Sequence, residues 1–113
     1  MLRSGHNVDA IDGHGLTALM RASHEGRADA VTLLIAQRAA LDHTSKFGLS
    51  ALMLAVICGH SRIARALVTA GADTTIRGTG APGFLGKSAA DLADEKGNRR
   101  LATFIRADAR ARP

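Results

Sequence analysis

Self-similarity constrains this chain more than any other feature. Gly15-Leu16-Thr17-Ala18-Leu19-Met20-Arg21-Ala22 recurs 33 residues later as Gly48-Leu49-Ser50-Ala51-Leu52-Met53-Leu54-Ala55. A third copy, Gly86-Lys87-Ser88-Ala89-Ala90-Asp91-Leu92-Ala93, follows at an offset of 38 residues. Each copy is succeeded by a glycine, Gly26, Gly59 or Gly97, and then by an apolar stretch. A fixed period of this length means a stack of supersecondary units rather than one closed core. Within each unit, Thr17, Ser50 or Ser88 suits a helix N-cap, where the hydroxyl accepts an orphan backbone N–H. A short helix follows, and the glycine suits the left-handed residue that stops it. A second helix has apolar positions at i, i+3, i+4 and i+7, as in Ile63, Ala66, Leu67 and Ala70. The 22 alanines and 13 leucines, against three Phe and no Tyr or Trp, fit closely packed helices and not a β-sandwich.

These blocks resemble the ankyrin repeat. The family core Gly-x-Thr-Pro-Leu-His-x-Ala is matched here by Thr-Ala-Leu-Met, Ser-Ala-Leu-Met and Ser-Ala-Ala-Asp. Gly59-His60 matches its inter-helix Gly-His, and Gly71-Ala72-Asp73 its repeat-ending Gly-Ala-Asp. The resemblance covers about residues 5–107 and implies an all-α solenoid of stacked helix–turn–helix units with β-turn fingers. The expected organisation is a single domain over 1–113. It comprises a remnant of a preceding repeat (1–9), repeats at 10–42, 43–75 and 76–107, and a basic tail (108–113). A loop inserted at 77–85 accounts for the longer third period. The family Pro is absent from every copy, and the first repeat ends Arg38-Ala39-Ala40 without its glycine. Met20, Met53 and Asp91 stand where the family has His, so the side-chain hydrogen bonds to the turn are expected to be missing. The first helix pair, Leu19, Val31 and Leu34 above all, is expected to leave a partly uncovered N-terminal face that packs on another copy of the chain or belongs to a longer parent.

The resemblance implies a non-enzymatic protein-binding module that contacts its partner through finger tips and the concave helix face. Carried over position by position, the candidate contact residues are His14, Leu16, His24, Lys46, Phe47, Leu49, Ile57, Cys58, Phe84, Leu85 and Lys87. Leu16, Phe47, Leu49, Ile57, Phe84 and Leu85 would form an apolar stripe, the kind of surface that marks interaction. Arg21, Lys46 and Lys87 would add charge at its rim. Phe104 reads as core, and Cys58 as a small packed residue and not a reactive thiol.

Charge supplies the alternative. The net charge is +5 and the isoelectric point about 10.7. Arg62, Arg65, Arg99, Arg100 and Arg106 could engage nucleic acid or another acidic surface. Lack of Tyr and Trp speaks against binding single strands by stacking, and a charge run is ordinarily a solvated face, so nucleic acid ranks below a protein partner. Ala81-Pro82-Gly83-Phe84-Leu85-Gly86-Lys87-Ser88 imitates a phosphate loop. It lacks the leading Gly and the preceding buried strand, and Gly86-Lys87-Ser88 sits in repeat register. His6, His14, His24, His43 and His60 form no i, i+4 ligand pair, with His60 expected as a structural turn residue. No catalytic set, metal site or cofactor is expected. The single Cys58 permits no internal disulfide, and the start of the chain resembles no secretory signal. No apolar run is long enough to span a membrane, and the expected setting is the cytoplasm.

Overall fold

The computed structural model describes residues 8–80 and 83–111. Six α-helices lie among them: α1 (Ala18–Glu25), α2 (Ala28–Ala36), α3 (Ala51–Ile57), α4 (Ser61–Ala70), α5 (Ala89–Glu95) and α6 (Arg99–Ala111). They pair as α1–α2, α3–α4 and α5–α6, and the pairs stack so that α1, α3 and α5 form one row and α2, α4 and α6 another. The all-α solenoid is therefore as expected. Residues 108–111, expected as tail, instead continue α6.

The caps act as their chemistry dictates. Thr17 Oγ1 accepts from Met20 N at 3.2 Å, Ser50 Oγ from Met53 N at 3.3 Å and Ser88 Oγ from Asp91 N at 3.4 Å. The reciprocal bonds expected to be missing are present in two repeats. Ser50 N donates to Met53 Sδ at 3.5 Å, and Ser88 N to Asp91 Oδ2 at 3.0 Å. Any acceptor of the right reach closes a capping box, so loss of the family His costs little here. The first two of the second helices are followed by a left-handed residue, Gly71 in repeat two (φ 109°). Its counterpart 33 positions earlier is Arg38, held at φ 61°. The two make the same bonds: Arg38 N to Ile35 O, and Gly71 N to Val68 O, both 3.0 Å. Side chains pay about 1–2 kcal/mol in this region. Arg38→Gly is expected to stabilise the chain by about 1 kcal/mol, because the more flexible unfolded chain returns part of the gain. A urea midpoint that fails to rise would contradict this.

The core runs along the stack between the two rows. Leu52, Leu67, Leu101 and Ile105 are buried with Ala51, Ala55, Ala64, Ala93 and Ala102. Alanine between helices lets their axes approach, which is what the composition implied. Polar links repeat as well. Asp42 Oδ1 accepts from Asp73 N at 2.7 Å, and Asp9 Oδ1 from Ala40 N at the same distance, one period earlier. Asp9 thus does what Asp42 does, and so sits in register with it. Residues 1–7 of the expected remnant lie outside the described residues. His60 Nε2 lies 3.2 Å from His24 O, and Asn98 Nδ2 donates to Ser61 Oγ at 2.7 Å, joining successive repeats.

The N-terminal face is less open than expected. Leu19 and Val31 are buried, because both point into their own helix pair and the next. Leu34 is half-buried, and Leu33 is the one large exposed apolar side chain of that pair, beside the exposed Ala18, Ala28 and Ala36.

Candidate functional site

Each repeat enters its first helix through a finger. In the first, Asp12 N donates to Leu16 O and Gly15 N to Asp12 O, both at 3.0 Å. In the second, Ser45 N donates to Leu49 O and Gly48 N to Ser45 O, both at 2.9 Å. The third finger uses the same pattern despite its extra residues. Gly78 N donates to Lys87 O at 3.0 Å and Gly86 N to Gly78 O at 2.9 Å. The insertion is thereby pinned between Gly78 and Gly86, and Ala81 and Pro82 at its centre lie outside the described residues. It does not stand free, since Thr79 N donates to Phe47 O at 2.9 Å.

Between the first two fingers and the ends of α1 and α3 lies a groove of about 880 Å³. His14, Leu16, His24, Lys46, Phe47 and Leu49, six of the candidate contact residues, line it. Phe47 is 43% exposed at its mouth, and Ile11, at 57%, faces it from the first finger. His43 and Leu54 also line the groove without having been singled out. Leu54 had a visible signal: it replaces the Arg21 of the preceding repeat on the inner helix face.

The other candidates fall elsewhere. Ile57 and Cys58 are half-buried at the end of α3. Leu85 is 63% exposed on the third finger. Phe84 is half-buried against the core. Lys87 pairs with Glu95 and so is not a free rim charge. The apolar stripe is broken further at Leu49, which is buried and forms only the floor of the groove. Phe104, expected as core, is only partly so: it is half-buried and packs against the core, with the Arg65 guanidinium 4.8 Å from its ring centroid.

A finger-and-helix-pair unit at a 33-residue period is a family trait, and comparison agrees. The family model for ankyrin repeats, three copies long, matches residues 1–78. The chain belongs to the ankyrin repeat family. The match ends where the inserted finger begins, but α5 and α6 continue the ankyrin stack beyond it. Among curated proteins, the chain is 42% identical over 57 residues to ankyrin repeat and KH domain-containing protein 1 of Homo sapiens. It is 33% identical over 90 residues to ankyrin repeat and KH domain-containing protein mask of Drosophila melanogaster. These alignments cover 50% and 79% of this chain, and the chain spans 2% of each relative's length. Ankyrin repeats are in general protein–protein interaction modules, and the family is non-enzymatic.

The electrostatics of this ankyrin groove are lopsided. Its first finger holds Asp12, whose carboxylate accepts from Leu16 N at 3.0 Å, His14 N at 2.8 Å and Arg21 Nη1 at 2.8 Å. The Leu16 and His14 amides, in that order, keep the carboxyl below the ordinary carboxylate range, and Arg21 adds to them. Asp12 therefore spends its charge on its own turn and on Arg21. The groove presents Lys46 and three imidazoles, and no metal-holding group of three or more His, Cys, Asp or Glu occurs among the described residues. Nor is any described helix long and apolar enough to cross a membrane.

Proposed function

We propose that this chain is a non-enzymatic protein-binding module whose contact site is the groove between its first two fingers. The exposed pair Ile11 and Phe47 above the Leu16, Leu49 and Leu54 floor carries this reading. Large apolar side chains held at a solvent-facing mouth mark a docking surface. The hydrogen-bonded fingers are already ordered, so a partner meets a preorganised surface and loses little entropy on binding. A cytoplasmic setting belongs to the same reading, with one half-buried thiol and no internal disulfide to form.

The test is affinity capture from native cell extract followed by mass spectrometry. The double variant Ile11→Asp, Phe47→Asp is expected to lose at least 10-fold of whatever the parent chain retains. Leu85→Asp, equally exposed but outside the groove, is expected to retain it. Circular dichroism checks that both keep their helices. A folded double variant that captures the same protein at parental yield would refute the groove.

A further inference from the structure

The opposite side of the molecule carries charge that the groove does not use. Arg62 and Arg65 stand on α4, and Arg99 and Arg100 open α6. α4 and α6 pack side by side. Two shallow troughs of about 490 and 510 Å³ join on this face at Arg65. Arg99, Arg100, Thr103 and Phe104 line one, and Arg62 lines the other together with Thr32 and Ile35 of α2, so that the second runs between α2 and α4.

Ion pairing sorts the described cations into two groups, the unpaired one including Arg38, Lys46, Lys96 and Arg110 as well as the α4–α6 arginines. Arg106, expected to belong to this cluster, is held by Asp91 at 3.2 Å and Asp94 at 2.7 Å. Arg21, Arg27, Arg77 and Lys87 are also paired. Arg62, Arg65, Arg99 and Arg100 make no ion pair among the described residues. Arg65 is instead laid over the Phe104 ring, which fixes its planar fork in advance of any ligand. The first turns of α4 and α6 contain no acid to offset the cluster. Cations there oppose the helix dipole, so the face is held at a cost that an anion would relieve.

The spread of these charges selects among anions. Arg62 and Arg65 are separated by about 4.5 Å of helix rise, and neighbouring helices lie roughly 8–10 Å apart. One phosphate cannot meet all four, whereas a row of phosphates can. The face has no exposed large apolar side chain to enter a bilayer. Ile11, Phe47 and Leu85 are on the fingers, and Leu33, on the neighbouring α2, is a single apolar side chain at its edge. It also lacks the free aromatic anchor on which protein interfaces turn, because Arg65 already covers Phe104. With no Tyr or Trp in the chain and the Phe104 ring already under Arg65, bases have no open platform on this face on which to stack. We propose that the α4–α6 face is a second binding site, and that it takes the phosphodiester backbone of a nucleic-acid duplex without reading sequence.

The experiment is fluorescence anisotropy of a labelled 20-base-pair DNA duplex with the full chain, titrated between 50 and 200 mM KCl. Four neutralised phosphates give a log–log salt slope near −3.6, roughly a 100-fold loss of affinity over that range. Arg99→Gln with Arg100→Gln is expected to bring the slope to about −1.8. Arg38→Gln, which removes an exposed cation beyond the end of α2, is expected to leave it unchanged. A second duplex of scrambled sequence is expected to bind equally. Circular dichroism establishes that each variant keeps its helices. The proposal fails if no binding occurs at 50 mM KCl, or if the folded double variant keeps the parental slope. It also fails if polyglutamate of matched charge displaces the duplex as well as unlabelled DNA does, which would make the face a site for acidic protein.

Discussion

Leu67→Ala is expected to destabilise the array by about 3 kcal/mol, whereas Leu34→Ala, the same repeat position one period earlier, is expected to cost about 1 kcal/mol. The chemistry removed is identical, so the difference isolates the surroundings. Leu67 is fully buried in the middle repeat, where α4 packs against α2, α3 and α6. Its deletion leaves a cavity walled on every side, which cannot collapse without moving a helix. Leu34 is only half-buried, on the pair that among the described helices has a stacked neighbour on one side. Solenoid stability sums over repeats and nearest-neighbour interfaces, so Leu67 contributes to two interfaces and Leu34 to one. Urea unfolding provides the measurement. With a slope of roughly 1–2 kcal/mol per molar, the Leu67 midpoint should fall by about 1.5–3 M and the Leu34 midpoint by about 0.5–1 M. Equal shifts would show that the two positions are equally enclosed.

What the sequence announced was whatever is local to one repeat. Thr17, Ser50 and Ser88 cap their helices as hydroxyls do, and Gly26, Gly59 and Gly97 end theirs because the left-handed turn admits them readily. What it concealed depends on neighbours. Leu16 and Leu49 share a register position, yet Leu16 is half-buried and Leu49 buried. The second finger has a finger on each side, and the third, hooked on through Thr79, helps to close it over. Phe104 reaches the core only in part, for a different reason. Its counterparts are Ala66 and Leu33, half-buried and exposed, so repeat register marked this position as outward. The ring is large enough to touch the core from that outward position, which its smaller counterpart Ala66 cannot match. Asp91 shows the converse. The family residue was lost but the bond survived, because a carboxylate can accept from the N-cap amide as well as an imidazole can. The groove was half legible for the same reasons. Six of its residues follow from register, but its extent follows from how the first two fingers face each other.

Gly78→Ala is expected to open the third finger and cost about 2–3 kcal/mol, while Gly83→Ala in the same insertion is expected to be neutral within about 0.5 kcal/mol. A Cβ on Gly78 would run into the carbonyl oxygen of Phe84 well inside contact distance, and would lie 2.8 Å from Phe84 Cβ and 2.9 Å from its carbonyl carbon. Backbone cannot swing aside as a side-chain tip can, so the finger must part. Around Gly83 nothing stands within 4 Å of an added Cβ. The parting would break Gly78 N–Lys87 O and Gly86 N–Gly78 O, the two bonds that close the enlarged finger. Thr79 N would then lose its position against Phe47 O, and the second finger would lose the neighbour that shelters Leu49. The damage is thus expected to travel from the insertion to the groove. Hydrogen exchange can follow it: in Gly78→Ala, protection should fall at the amides of Gly78, Thr79 and Gly86 and then at Gly48 in the second finger. The helical amides of α1 and α2 should stay as they were. Loss confined to the third finger, with Gly48 still protected, would mean that the insertion leans on the groove without supporting it.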